Sequence, residues 1–149
     1  MKQLLIALGG LSFAFLLSCG GGGETTTQQS ATTEEAEAAP ADPRGVGEVK
    51  EVNLTDPLEE SMITTGKAIY EMKCSACHKL TDQRVVGPGW AGVTNKRRPE
   101  WIMNMITNVD VMLAEDPQAQ KLLEECLTRM PNQGVSIGDA RALLEYMRK

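Results

Sequence analysis

Histidine is nearly absent from this sequence, since His78 is the only one among 149 residues. A site that needs two histidines from the same chain is therefore excluded. The sequence also has no paired carboxylates near His78 and no motif for an activated nucleophile, the two arrangements typical of acid–base and covalent catalysis. These absences predict a protein that is not an enzyme.

The sequence also lacks an apolar run long enough for a comfortable membrane span. Residues 4–17 are apolar and follow Lys2, a pattern that predicts an export signal over residues 1–18. The run ends in Leu-Leu-Ser-Cys, which resembles a bacterial lipobox and makes Cys19 the predicted site of lipidation. Ordinary secretion, with cleavage near Ser18, is the alternative. The expected location is the periplasmic side of a bacterial membrane, with the lipid on Cys19 as the anchor.

Apolar periodicity is missing from the next forty residues. Residues 19–60 are therefore predicted to be a lipidated cysteine followed by a flexible acidic linker, and residues 61–149 a folded domain. From residue 24 to residue 60 there are ten acidic and two basic residues, a net charge of −8. Residues 61–149 carry twelve basic and ten acidic residues, a net charge of +2. The acidic character of the chain thus belongs to the linker.

One short motif in the domain has a specific meaning. Cys74-Ser75-Ala76-Cys77-His78 is the C-x-x-C-H signature for covalent attachment of haem c. Two thiols on one helical face can bond the two vinyl groups of one porphyrin, and the adjacent imidazole of His78 can bind the iron. The domain offers only a few aromatic residues for a core, and a buried porphyrin would supply apolar volume. The predicted cofactor is one covalent haem c, and the predicted function is electron transfer.

Three other interpretations of the cysteines were weighed. A redox dithiol needs only C-x-x-C and normally follows a strand, but nothing β-like precedes Cys74. A zinc site could combine Cys74, Cys77, His78 and Cys126, although two adjacent ligands make it awkward. A disulfide between Cys74 and Cys77 would close a small, strained loop and would leave His78 unexplained.

Apolar residues at three- and four-residue steps predict an all-α domain. The first helix is expected from about Glu59 to Ala76 and the second over residues 99–113. A third should begin at Asp116-Pro117, with the aspartate as N-cap, and a last one near Ser136. Cys126 falls on the apolar stripe of the third helix, which predicts a buried, reduced thiol.

The domain resembles class I monohaem cytochromes c. In that family a first helix with a glycine and an aromatic residue, here Gly66 and Tyr70, precedes C-x-x-C-H and crosses the last helix. The resemblance implies about four helices around one haem. It also implies that Pro88, in Gly-Pro-Gly, accepts a hydrogen bond from the proximal histidine and fixes its tautomer.

Met130 is the candidate distal iron ligand. It follows the third predicted helix, and Pro131 stops that helix, so its thioether can turn into a loop. The resemblance supports this, because family members place the distal methionine in such a loop. The alternative makes Met130 the last core residue of the stripe. Trp101 could donate its indole N–H to a haem propionate or could serve only in core packing.

These features predict a lipid-anchored one-electron carrier with His78/Met130 ligation. Basic residues near the motif could steer it toward an acidic redox partner, or could simply be solvated. The stretch from Trp101 to Met130 also resembles small cytochromes c that accompany bacterial nitrous oxide reductases. Haem catalysis or gas sensing with a displaceable Met130, and a fixed subunit of a larger oxidoreductase, are the alternatives. Nucleic acid is not an expected partner, and a monomer is expected.

Overall fold

The computed structural model describes residues 41–149, and within this range the fold is helical without strands. The predicted export signal and the lipidation site Cys19 lie outside the described residues. Six α-helices are present in the described range, and one π-helical turn, Tyr70–Cys74, continues the first of them. The helices are α1 Glu60–Ile69, α2 Val93–Lys96, α3 Pro99–Thr107, α4 Val109–Glu115, α5 Pro117–Cys126 and α6 Ile137–Met147. None of these six helices is both long enough and apolar enough to cross a membrane.

Helices α1 and α6 cross at Gly66, as the sequence predicted. A β-carbon on residue 66 would collide with the backbone carbonyl of Ala142 and would press on the side chain of Tyr146. Glycine costs roughly 1 kcal/mol relative to alanine inside a helix. Here the absence of a side chain on Gly66 allows the backbones of α1 and α6 to come into contact, which explains why the cost is tolerated.

Two predicted helix starts are confirmed. The Asp116 side chain accepts a hydrogen bond from the backbone N–H of Ala119 at 2.8 Å and caps α5, whose first residue is Pro117. The hydroxyl oxygen of Ser136 accepts the N–H of Asp139 at 3.1 Å and caps α6. Both caps satisfy backbone donors that the first turn of a helix leaves unpaired.

The single helix predicted over residues 99–113 is wrong. The backbone leaves the helical region at Asn108, with φ −136° and ψ 40°, and this residue separates α3 from α4. The side-chain amide of Asn108 donates to the carbonyl of Val46 at 3.3 Å, while its backbone N–H still donates to the carbonyl of Asn104 at 2.8 Å. Asparagine side chains compete for backbone groups in this way, which is why they weaken helix interiors.

The predicted boundary between linker and domain at residue 60 also differs from the structure. Residues 42–59, which we call the N-terminal strap, pack against α3, α4 and α6. The buried Asn104 side chain accepts the Val49 N–H at 3.0 Å and donates to the carbonyls of Val49 and Arg44, both at 3.0 Å. The Val49 side chain is buried in the core.

A buried carboxylate holds the second half of the strap. Glu145 on α6 is fully buried and accepts hydrogen bonds from the Glu59 N–H at 3.1 Å and the Thr55 hydroxyl at 3.2 Å. Arg141 and Arg148 pair with the same carboxylate, at 2.6 and 2.9 Å, and also donate to strap carbonyls. The folded domain therefore includes residues that their sequence pattern assigned to the linker.

Candidate functional site

The C-x-x-C-H motif sits at the end of a widened helical turn. The N–H of Ser75 reaches back to the carbonyl of Tyr70 at 2.9 Å, an i to i+5 bond that defines the π-helical turn. The N–H groups of Cys77 and His78 then both donate to the carbonyl of Cys74, at 3.1 and 2.9 Å. π-Helical turns are rare and often mark functional sites. The regular helix expected to Ala76 thus ends earlier, and the motif forms a compact turn.

His78 is oriented by the segment that follows it. Its Nδ1–H donates to the carbonyl of Pro88 at 2.9 Å, which is the hydrogen bond that the family resemblance implied. Gly87 lies so close that a β-carbon there would collide with the imidazole ring. Burial lowers the pKa of His78, while the hydrogen bond to Pro88 acts in the opposite direction. The ring is therefore held neutral, with Nδ1 occupied and Nε2 left for a metal.

Aromatic residues surround the back of His78. The Tyr70 hydroxyl donates to the His78 carbonyl at 2.9 Å, and the Tyr70 ring lies 5.2 Å from that of Trp90. The Trp90 and His78 rings are 5.3 Å apart, with 31° between their planes. No sequence signal pointed to this contact between Trp90 and the histidine.

A mainly apolar cavity of about 590 Å³ opens beside His78, within the usual size range of ligand sites. Three stretches far apart in the sequence form most of it: the motif with the segment through α2, one face of α3, and the end of α5 with the following loop. Leu113 of α4 and Met147 of α6 complete the lining. The lining includes Cys77, His78, Val86, Pro88, Trp90, Val93, Trp101, Ile102, Met105, Ile106, Leu122, Leu123, Cys126, Met130 and Met147.

Only some of the methionines of the domain line the cavity and could supply a second, sulfur ligand to the iron. Met130 lines it, as do Met105 and Met147, whereas Met103 and Met112 are buried in the core and are not among its lining residues. The Met112 sulfur instead accepts the Val46 N–H at 3.0 Å. The structure thus brings Met130 to the same cavity as His78, and its ligation to iron stays a prediction.

Trp101 has a different partner from the predicted propionate. It is buried and lines the cavity, but its indole N–H donates to the Asp116 carboxylate at 3.1 Å. The Arg97 guanidinium lies over the indole ring, 4.6 Å from its centroid. The indole N–H, which could have donated to a haem propionate, therefore donates to Asp116, the residue that caps α5. Asp116 lies 15 positions from Trp101, and no sequence signal pointed to this pair.

The geometry argues against two of the three other interpretations of the cysteines, the redox dithiol and the zinc site. A redox dithiol requires an easily formed thiolate, but burial raises the pKa of Cys74. Within residues 41–149 no three histidine, cysteine or acidic side chains are grouped to hold a metal, so Cys126 does not complete a zinc site with the motif. Cys126 is half-buried and lines the cavity, whereas the sequence had predicted a buried core thiol.

Comparison with known proteins agrees with this site. The cytochrome c family model matches residues 63–149. A cytochrome c from Rhodothermus marinus is 35% identical, with a TM-score of 0.68 over 72% of this chain and 95% of that one. An engineered form of that protein bound to a carbene intermediate is 33% identical, with a TM-score of 0.64 over 72% of this chain and 96% of that one. The cytochrome c domain of a Pseudomonas putida protein is 30% identical, with a TM-score of 0.50 over 56% and 84%. No curated protein sequence matches the chain.

The chain belongs to the cytochrome c family and has the class I fold. Membership implies one covalently bound haem c, and the residues fit that group. The carbonyl of Cys74 accepts the N–H groups of both Cys77 and His78, which keeps the motif in one turn, and Cys77 and the imidazole of His78 border an apolar cavity. Haem-based electron transfer is the function typical of this family.

Proposed function

We propose that this protein is a one-electron carrier in which His78 and Met130 fill the two axial positions of the haem iron. The observation that supports this most strongly is the single cavity lined by both side chains, with Nδ1 of His78 already bound to Pro88. Imidazole with thioether raises the reduction potential relative to harder ligand sets. With both iron ligands supplied by the protein, no site would remain for oxygen or peroxide, so the proposed function is electron transfer and not catalysis.

The protein side chains attach, orient and shield the redox group. The iron, when bound, supplies reversible one-electron chemistry. The thiols of Cys74 and Cys77 would hold the haem through thioether bonds formed by addition to its two vinyl groups, and the Pro88 carbonyl fixes the tautomer of His78. The apolar lining keeps water away from the site, so little solvent must reorganise when the charge changes. Such preorganisation lowers the barrier for electron transfer.

Basic side chains at the cavity support an acidic redox partner. Lys96, Arg97 and Arg129 are among its lining residues, and the domain from residue 61 onward has a net charge of +2. Arg129 is paired with Asp110 at 3.1 Å, both exposed, so this pair contributes little to stability. A positive rim increases the association rate with an acidic partner, and salt should reduce that rate.

The proposal includes export and a lipid anchor. Residues 1–18 and Cys19 have the pattern of a lipoprotein leader. An anchored monomer on the periplasmic side would exchange electrons with respiratory proteins, for which a nitrous oxide reductase is one candidate by resemblance. Labelling with a radioactive fatty acid, compared between wild type and Cys19→Ser, tests the anchor. Equal labelling of the two proteins would contradict it.

A second candidate function is ligand binding at an iron that releases Met130. The loop after α5 favours it, because Leu127 has a left-handed backbone, with φ 56°, and is 88% exposed. The loop is tied mainly by Arg129 to Asp110 and by the Lys73 ammonium to the Gln133 carbonyl at 3.0 Å. The engineered relative from R. marinus bound to a carbene intermediate shows that such a fold can hold a small group.

Optical spectra of the haem-loaded protein separate these two functions. The carrier predicts a methionine-to-iron charge-transfer band in the oxidised wild type, its loss in Met130→Ala, and weak carbon monoxide binding by the reduced wild type. Met105→Leu and Met147→Leu are matched controls, since both methionines line the same cavity, and each should keep the band. Retention of the band in Met130→Ala would disprove the ligand assignment. High-spin iron with tight carbon monoxide binding in the wild type would favour the second function.

A further inference from the structure

Four rings lie in series between the haem attachment site and the surface where α1 crosses α6. The centroid of Tyr146 is 5.7 Å from that of Tyr70, Tyr70 is 5.2 Å from Trp90, and Trp90 is 5.3 Å from His78. The interplanar angles are 46°, 54° and 31° in the same order. All three distances fall within the range of direct aromatic contact.

The series has one end at the iron site and the other at a different surface. His78 and Trp90 line the haem cavity, and Tyr70 is buried between Trp90 and Tyr146. Tyr146 belongs to α6, is half-buried, and packs where Gly66 admits the α6 backbone. It is not among the residues that line the cavity. The rings therefore lead away from the basic cavity rim.

Tyr70 makes two contacts, one with Trp90 and one with the motif. Its ring touches Trp90, and its hydroxyl donates to the backbone carbonyl of His78 at 2.9 Å. The ring contact belongs to the aromatic series, and the hydrogen bond holds the Tyr70 ring in place beside His78. Trp101, the remaining aromatic residue among residues 41–149, pairs with Arg97 and Asp116 and stands outside the series.

We propose that Tyr146, Tyr70 and Trp90 couple the iron to the α1/α6 surface and give the carrier a second route for electrons. This inference rests on the proposed electron-transfer function. One electron leaves ferrous iron and one electron reduces an outer-sphere metal complex at the surface. No bond is made or broken, and no proton is transferred. A carrier with two routes can receive an electron at one face while its donor or acceptor occupies the other.

Flash photolysis with a surface ruthenium complex tests the route. The haem-loaded Cys126→Ala protein, which has no other reactive thiol in the mature domain, is labelled at Lys149→Cys, next to Tyr146. A second preparation carries the label at Glu124→Cys. This position is exposed on α5, next to the cavity-lining Leu123 and outside the series of rings. The quantity measured is the rate of iron oxidation by photogenerated Ru(III) at each position.

Tyr70→Leu should lower the rate from position 149 roughly tenfold or more, because it removes the middle aromatic contact. Tyr70→Phe keeps the ring, loses only the hydroxyl, and should stay within about twofold of wild type. The rate from position 124 should be unchanged in both variants. The ratio of the two rates cancels any effect of a changed iron potential, because both labels oxidise the same iron.

Tyr146→Leu provides a second test at the less buried end and should lower the same ratio. Unchanged ratios in Tyr70→Leu and Tyr146→Leu would overturn the route. Failure of the carrier function itself would be seen separately, as irreversible voltammetry of the unlabelled wild-type protein.

Discussion

The carbonyl of Ala142 occupies the position that a β-carbon on Gly66 would take. Helices α1 and α6 meet at this point, and the Tyr146 side chain closes over the same spot. The contact joins the helix that leads into the haem attachment motif to the helix that carries Glu145 and the outer ring of the aromatic series. Its stability therefore affects both the strap and the site.

Gly66→Ala should destabilise the domain by about 1 to 3 kcal/mol, because the added methyl group collides with rigid backbone. Gly138→Ala is the matched control, since it is also a helical glycine and its β-carbon would meet only the Ser136 hydroxyl at 3.9 Å. The control should be neutral or stabilising by up to about 1 kcal/mol. Denaturant unfolding of the haem-loaded proteins measures both, and equal midpoints would refute the close crossing.

Gly87→Ala should disturb iron ligation by displacing the His78 ring, against which the new methyl group would collide. We expect a changed reduction potential and a larger high-spin fraction. Pro88→Ala is the companion variant: its backbone carbonyl still accepts the Nδ1–H of His78, so its spectrum should stay close to wild type. Cyclic voltammetry and visible spectra report the outcome. A wild-type potential in Gly87→Ala would contradict the tight fit.

Glu145→Gln should weaken the domain at neutral pH by about 3 kcal/mol, because Arg141 and Arg148 lose the carboxylate between them. Burial by itself raises the pKa of Glu145, but hydrogen bonds from Arg141, the Glu59 N–H and Arg148 outweigh it and leave the pKa below its ordinary 4.5. The ionised carboxylate thus stabilises the fold above pH 4.5, and this stabilisation is lost as pH falls through the folded-state pKa.

The difference in unfolding free energy between wild type and Glu145→Gln should accordingly be full at pH 7 and shrink in acid. Urea unfolding at a series of pH values gives this difference directly. Glu51→Gln, which removes an exposed carboxylate from the same strap, is the control and should leave stability at pH 7 unchanged. A difference that does not vary with pH would show that the charge of Glu145 has no role.

Asn104→Ala should cost about 3 kcal/mol, because it leaves the Val49 N–H and the carbonyls of Val49 and Arg44 without their partner. Asn53→Ala is the control, since Asn53 contacts Arg141 through its backbone carbonyl, which the substitution keeps.

A chain that begins at residue 61 should be less stable than one that begins at residue 42. Thermal unfolding of the four proteins checks both expectations, and a stable chain from residue 61 would show that the strap is dispensable.

Local signals in the sequence predicted much of the site, and distant pairings account for what it missed. The motif and the cap at Asp116 each involve residues within five positions of each other, and the hydrogen bond from His78 to Pro88, which the family resemblance implied, joins residues ten positions apart. The strap was missed because its backbone groups are bound by single polar side chains, Asn104 and Glu145, from far along the chain. Such pairings produce no hydrophobic period. The break at Asn108 was missed for the same reason.

The cavity draws its histidine and its methionine from separate parts of the chain. His78 and the residues that orient it lie between residues 70 and 90, whereas Met130 follows α5 and packs against the core, next to Arg129, which pairs with Asp110 at the surface. In the proposed site, the residues that attach the cofactor and the proposed second iron ligand thus come from separate segments of the chain. If Met130 binds the iron as proposed, substitutions in the loop after α5 would change the iron's second ligand and leave the residues that attach the haem in place, so a few changes would separate the two proposed functions.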